Sequence, residues 1–128
     1  MLSQTANYAL RAMGYLASRE GEGPIRAQVI AEAMDIPPTF LSKIMHQLAR
    51  AGLVVSVRGT NGGFQPARPA AEIILREVVA PFMDLAVYRQ CFLGRVECDG
   101  TCGIHRQWQP IMERFDALLT NTTIDQII

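Results

Sequence analysis

Two short amphipathic segments meet at Asp35-Ile36-Pro37-Pro38, and that junction leaves room for little besides a pair of helices joined by a tight turn. The residue before a proline is pushed toward extended backbone, whereas proline itself is tolerated in the first turn of a helix. A helix is therefore predicted to begin at this proline pair and run to about Arg50, with Gly52 ending it. Leu41, Ile44, Met45 and Leu48 fall on one face of it, and Thr39, Ser42, Lys43, His46 and Arg50 on the other. Before the junction, residues from about Arg26 to Met34 read as a short helix with Val29, Ile30, Ala33 and Met34 on its apolar side. Residues 4–19 read as an earlier helix, capped by Ser3, with Ala6, Ala9, Leu10, Met13, Leu16 and Ala17 in one stripe.

Past Gly52 the period changes from helix to strand. Leu53-Val54-Val55-Ser56-Val57-Arg58 is rich in β-branched residues, Phe64-Gln65-Pro66-Ala67 is a shorter run, and Gly59-Thr60-Asn61-Gly62-Gly63 joins them as a hairpin tip. Asn61-Gly62 is the expected source of the positive φ angles that such a turn needs. Residues 70–83 look helical, through Ile73, Ile74, Val78, Phe82 and Met83. Residues 84–106 show no clean period, and a helical period returns from about Gln107 to Thr120. There Trp108, Ile111, Phe115 and Leu118, with Met112 and Leu119 beside them, make a seam wide enough for another helix, and Pro110 is expected in the first turn or at a kink. At 128 residues, about half of them apolar, the chain suits one soluble core and excludes a multidomain enzyme. Two helices, a tight turn and a glycine-tipped hairpin are the order of a winged helix-turn-helix, so the fold class is mainly α with a small β wing.

Formal net charge is zero, but the charges are unevenly placed. Residues 1–69 carry Arg11, Arg19, Arg26, Lys43, Arg50, Arg58 and Arg68 against Glu20, Glu22, Glu32 and Asp35, a net +3, and the remainder is −3. A polyanion would meet the first half. In a winged helix-turn-helix the later helix enters the major groove, where Thr39, Ser42, Lys43 and His46 would offer hydroxyls, an ammonium and an imidazole to bases and phosphates. Arg58, at the root of the wing, would reach the minor groove or a phosphate, and the backbone amides of Asn61, Gly62 and Gly63 would face phosphate oxygens. The plain alternative is a solvated polar face, with the glycines serving only a turn. His46 alone is an ordinary surface residue as readily as a contact.

Met1-Leu2-Ser3-Gln4-Thr5 lacks the basic start and apolar run of a signal peptide, and no apolar stretch approaches the roughly 20 residues that span a bilayer. A cytoplasmic location is the expectation. There an odd number of cysteines, all within residues 91–102, points to metal or redox chemistry rather than a disulfide framework. Cys91, Cys98 and Cys102, with His105 close behind and glycines at 94, 100 and 103, form a loop that could hold an iron–sulfur cluster or zinc. A Cys98/Cys102 thiol switch without metal, or three buried reduced thiols, are the alternatives, because the spacing matches neither ferredoxins nor zinc fingers. No phosphate-binding loop, Ser/His/Asp arrangement or paired carboxylates point to catalysis, so an enzyme is not expected. A metal or redox protein that acts on another protein, with its helix-turn-helix merely structural, remains the reading from a different class.

Several stretches together carry a family resemblance. They are Tyr8-Ala9-Leu10-Arg11, Phe40-Leu41 through Ala51-Gly52-Leu53-Val54, Val57-Arg58-Gly59 followed by Gly62-Gly63-Phe64, Ala67-Arg68-Pro69, and the three-cysteine loop with His105 and Trp108. In this combination, which spans most of the chain, the sequence resembles the IscR/NsrR-type family of bacterial winged-helix regulators, also called the Rrf-two family. The resemblance implies a homodimer with crossing C-terminal helices, wings that grip a palindromic DNA operator, and a 2Fe-2S or 4Fe-4S cluster that senses iron, redox state or nitric oxide. It also implies three regions: a DNA-binding winged helix-turn-helix over 1–83, a cluster-binding cysteine loop over 84–106, and a long dimerisation helix with the C-terminal segment over 107–128. Cys91, Cys98 and Cys102 match the family's cluster ligands, His105 matches the histidine of IscR-type members, and Thr39, Ser42 and Arg58 fall where the family contacts DNA.

The sequence departs from that pattern in places. The gap from Cys98 to Cys102 is shorter than the family's usual five intervening residues, and Pro37 and Pro38 replace a more usual serine-containing turn. Ser42 stands where glutamate is frequent, and the neutral Asn7 stands near where NsrR-type members offer an acidic ligand.

Overall fold

The computed structural model describes residues 2–94 and 100–128. Helix α1 (Gln4–Ser18) starts at Ser3, whose Oγ accepts the Ala6 N–H at 3.1 Å, and it buries Ala6, Ala9, Ala12, Met13, Leu16 and Ala17. Four of those six are alanines, so other elements approach α1 closely from several sides. α2, α3, α4, the second strand and the C-terminal turn all pack on it. This helix is the centre of the core.

Helix α2 (Ala27–Met34) ends at Asp35, which takes a left-handed conformation with φ of 53°. Aspartate tolerates that region better than most side chains, and the turn drops Ile36 into the core, its N–H on the Ala31 carbonyl at 2.9 Å. Helix α3 (Pro38–Arg50) then begins with proline in its first turn and buries Leu41, Ile44, Met45 and Leu48, as its period requires. The apolar side of α2 differs from the sequence expectation. Ile30 and Ala31 are buried, while Val29 and Ala33 face outward, because α2 has α1 on one side and α3 on the other and so turns a different arc inward.

Strands β1 (Val54–Val57) and β2 (Gly63–Pro66) pair antiparallel, from Val54 opposite Pro66 to Val57 opposite Gly63. A third short partner, not foreseen in the sequence, lies on the other side of β2. Ile25 exchanges both backbone hydrogen bonds with Phe64, at 2.8 and 2.7 Å, and so pins the wing to the segment that leads into α2.

The expected helix over 70–83 is broken. Residues Ala70–Glu72 form a 3-10 turn, Ile73 and Ile74 are extended, and only Leu75–Val79 (α4) is α-helical. Ile74 makes an antiparallel bridge to Thr123, flanked by Leu75 N–H to Thr122 O and Ile124 N–H to Ile73 O, both at 2.9 Å. The β-branched pair at 73–74 is thus held extended by the returning end of the chain. A 3-10 turn at Leu85–Arg89 follows, and then the long helix α5 (Gly103–Asn121). α5 starts before the expected Gln107, so Cys102 is its N-cap, His105 sits in its first turn, and Pro110 falls in its interior, where the Arg106 carbonyl loses its usual donor. Among the described residues no helix is long and apolar enough to cross a membrane.

Candidate nucleic-acid interface and cysteine segment

The core sets the orientation of α3. With Leu41, Ile44, Met45 and Leu48 held inside, Thr39, Ser42, Lys43, His46 and Arg50 are exposed on the opposite face. Phe40 at the start of the helix is 53% exposed, and Gln47 is exposed as well. Neither belongs to the expected polar face; the signal for Phe40 is a large apolar side chain off the Leu41/Ile44/Met45/Leu48 stripe. His46 meets Phe64 of the wing edge-on at 6.5 Å between ring centroids, so that ring links α3 to β2 as well as facing solvent.

The wing tip closes by a turn in which Gly62 N–H donates to Gly59 O at 3.0 Å. The positive φ angles lie at Gly59 (112°) and Gly63 (150°), not at Asn61-Gly62 as the sequence suggested, because a five-residue tip with three glycines can close in more than one way. A Cβ at Gly62 would overlap the Val57 carbonyl oxygen, and one at Gly63 would overlap the Ile25 carbonyl. Gly62 is buried with its amide engaged inside the turn, which leaves it a packing position rather than a phosphate donor. Asn61 and Arg58 are exposed on the tip.

The ion pairs among the described residues lie outside α3 and the wing. Arg68 pairs with Glu77 at 2.8 Å, Arg76 and Arg89 both pair with Asp116, and Arg19 pairs with Glu22. Among the described residues Lys43, Arg50 and Arg58 make no ion pair. α3 and the wing therefore expose three cations without a neutralising carboxylate, beside two hydroxyls and an imidazole. That arrangement suits a polyanion. Arg26, which was counted in the charge but not assigned to the site, donates from its guanidinium to the Thr60 carbonyl in the wing tip.

Cys91 and Cys102 are half-buried, and His105 is half-buried in the first turn of α5, its Nε2 at 3.1 Å from Gln109 Oε1. Phe92 packs on Trp108 at 5.2 Å between centroids, which ties the segment after Cys91 to the N-terminal half of α5. Gly100, with φ of 80°, passes 3.6 Å from His105 Nε2, measured from where its Cβ would stand. Cys98 lies outside the described residues. Beside His105 opens an apolar cleft of about 360 Å³, floored by Tyr88, Met112, Phe115 and Leu119. Among the described residues no three Cys, His, Asp or Glu side chains are grouped to hold a metal ion; Cys102 and His105 stand at the start of α5, and thiolate and imidazole are the donor types of an iron–sulfur cluster. Zinc takes the same donors.

Comparison with known proteins decides the family. Rrf2, described as an iron-dependent transcriptional regulator, matches residues 2–128. The chain belongs to the Rrf2 family. A helix-turn-helix-type transcriptional regulator of Aquifex aeolicus is 33% identical over 132 residues, covering all of this chain and 91% of the relative. The transcriptional regulator IscR of Pectobacterium atrosepticum is 31% identical over 129 residues, covering 99% and 78%. Among solved structures, T. potens IscR superposes with a TM-score of 0.80 at 25% identity, covering 99% of this chain and 85% of that one. CymR, the global cysteine regulator of B. subtilis, superposes with a TM-score of 0.83 at 25% identity, covering 99% and 95%. This Rrf2 chain is accordingly a winged-helix transcriptional regulator, as its relatives are, rather than a member of an enzyme family.

Proposed function

We propose that this Rrf2 regulator acts in the cytoplasm as a homodimer on a palindromic DNA operator. In this reading α3 enters the major groove through Thr39, Ser42, Lys43 and His46. Arg58 and the backbone of Asn61 and Gly63 hold the flanking phosphates or the minor groove, while Gly62 shapes the tip. The observation that carries the reading is that α3 and the wing expose three cations, Lys43, Arg50 and Arg58, that make no ion pair among the described residues, beside the exposed hydroxyls and imidazole of α3. Support for the dimer comes from α5. Phe115 turns inward against Tyr88 and Leu119 is buried, but Ile111 and Leu118 remain 50% and 54% exposed seven residues apart, an apolar strip suited to a second copy of the helix. Two recognition helices must then lie about 34 Å apart, one helical turn of DNA.

We further propose that Cys91, Cys98 and Cys102, with His105, hold an iron–sulfur cluster, 2Fe-2S or 4Fe-4S. A bound cluster would supply sensitivity to iron, redox state or nitric oxide. The chain's own residues connect that segment to the DNA-reading half. Cys102 caps α5, Phe92 rests on Trp108, and Asp116 further along α5 is gripped by Arg76 of α4 and by Arg89. α4 packs directly on α1, so a shift of residues 84–106 is felt in the core that orients α3. The short gap between Cys98 and Cys102 and the likeness to CymR favour a second reading, in which the thiols act as a switch without a cluster. Anaerobic purification with a visible spectrum and iron and sulfide counted per chain decides between them. Brown protein with matching iron and sulfide is expected, and protein that stays colourless after reconstitution would leave thiols or zinc as the sensing chemistry.

A further inference from the structure

We infer that Arg26 is a positioning residue for DNA binding: its guanidinium, donating to the Thr60 carbonyl, fixes the pose of the wing tip and through it the placement of Arg58. The functional consequence rests on the DNA-binding reading above; the structural part does not. Arg26 stands at the N-cap of α2, with extended backbone (φ −66°, ψ 144°) and no side-chain cap. Its neighbour Ile25 holds Phe64 by two backbone hydrogen bonds, and Gly63 lies so near that a Cβ there would stand 2.7 Å from the Arg26 nitrogen. The base of the wing is thus fastened to the segment before α2. The tip is not. Among the described residues, the Arg26–Thr60 hydrogen bond is the sole hydrogen bond from residues 58–62 to the body of the domain; the tip's other one, Gly62 to Gly59, is internal.

A two-stranded hairpin has little stability of its own, so the orientation of its tip depends on whatever anchors it. The anchor here spans 34 residues of sequence and joins the first helix of the helix-turn-helix directly to the turn beside Arg58. Thr60 offers a neutral carbonyl, which leaves the charge of Arg26 uncompensated and adds it to the field of Lys43, Arg50 and Arg58. Arginine suits both tasks, because its fork of donors can hold a carbonyl while the cation stays at the surface.

The test combines amide hydrogen exchange of residues 58–62 with duplex-DNA affinity for the wild type, Arg26→Ala, Arg58→Ala and the double variant. Arg26→Ala is expected to speed exchange at the tip and to weaken binding about 3- to 10-fold, the range of one lost hydrogen bond. In the Arg58→Ala background the same change should weaken binding less than about twofold, since the group it positions is gone. Unchanged tip exchange in Arg26→Ala would overturn the anchor. An equal loss of affinity in both backgrounds would overturn the positioning role and make Arg26 an independent phosphate contact. Wild-type protein that binds no duplex would defeat the DNA reading instead, and the exchange result would still decide the anchor.

Discussion

At the scale of single residues, the wing depends on atoms that glycine lacks. Gly63 brings β2 against Ile25, where a Cβ would overlap the Ile25 carbonyl, and its φ of 150° is one that side-chain-bearing residues avoid. Gly63→Ala is therefore expected to destabilise the protein by about 1–3 kcal/mol in urea denaturation. Gly103→Ala, in the first turn of α5 with open space around it, should be neutral or stabilise by up to about 1 kcal/mol. Equal effects of the two substitutions would contradict the close approach. The residues of the α3 face were legible in the sequence, because a 3.6 period with Leu41, Ile44, Met45 and Leu48 inside leaves Thr39, Ser42, Lys43 and His46 outside. Gly59 and Gly63 were legible as turn residues but not in their roles. That of Gly63 depends on Ile25, a lone bridge partner some forty residues earlier beside a Gly-Pro pair, where nothing local signals a strand.

At the scale of elements, α5 is held to the rest of the chain partly through Asp116, which receives both Arg76 and Arg89. The Arg76 hydrogen bond first, then the charges of both arginines, draws the Asp116 carboxyl below the ordinary aspartate range. A carboxylate more acidic in the folded than in the unfolded state contributes stability that is full above the unfolded value and is lost as pH falls through the folded one. The melting temperature of the wild type should therefore exceed that of Asp116→Asn near neutral pH, and the gap should close below the ordinary aspartate range. High salt should narrow it too, since the group is on the surface. A gap that persists in acid would show that Asp116 acts through something other than its charge. No local pattern signals this pairing, which crosses 40 residues from α4 to α5. For the same reason the expected helix over 70–83 was broken: the strand-like hold of Thr123 on Ile74 is long-range, and local periodicity is blind to it.

At the scale of the whole molecule, the Rrf2 chain packs α2, α3, α4, β2 and the C-terminal turn around α1. The proposed dimer joins two such units through α5. Leu118→Glu, on the exposed strip and away from the buried Leu119, should leave the fold intact while shifting sedimentation from dimer to monomer, and a variant that stays dimeric would place the interface elsewhere. The central claim is that α3 and the wing bind the DNA backbone through Lys43, Arg50 and Arg58, which make no ion pair among the described residues. Its most direct test is the salt dependence of affinity for a non-specific duplex, measured for the wild type and Arg58→Ala. The logarithm of affinity should fall steeply with the logarithm of salt concentration for the wild type, and the substitution should lower that slope by about 1. An affinity and a slope that Arg58→Ala leaves unchanged would contradict it.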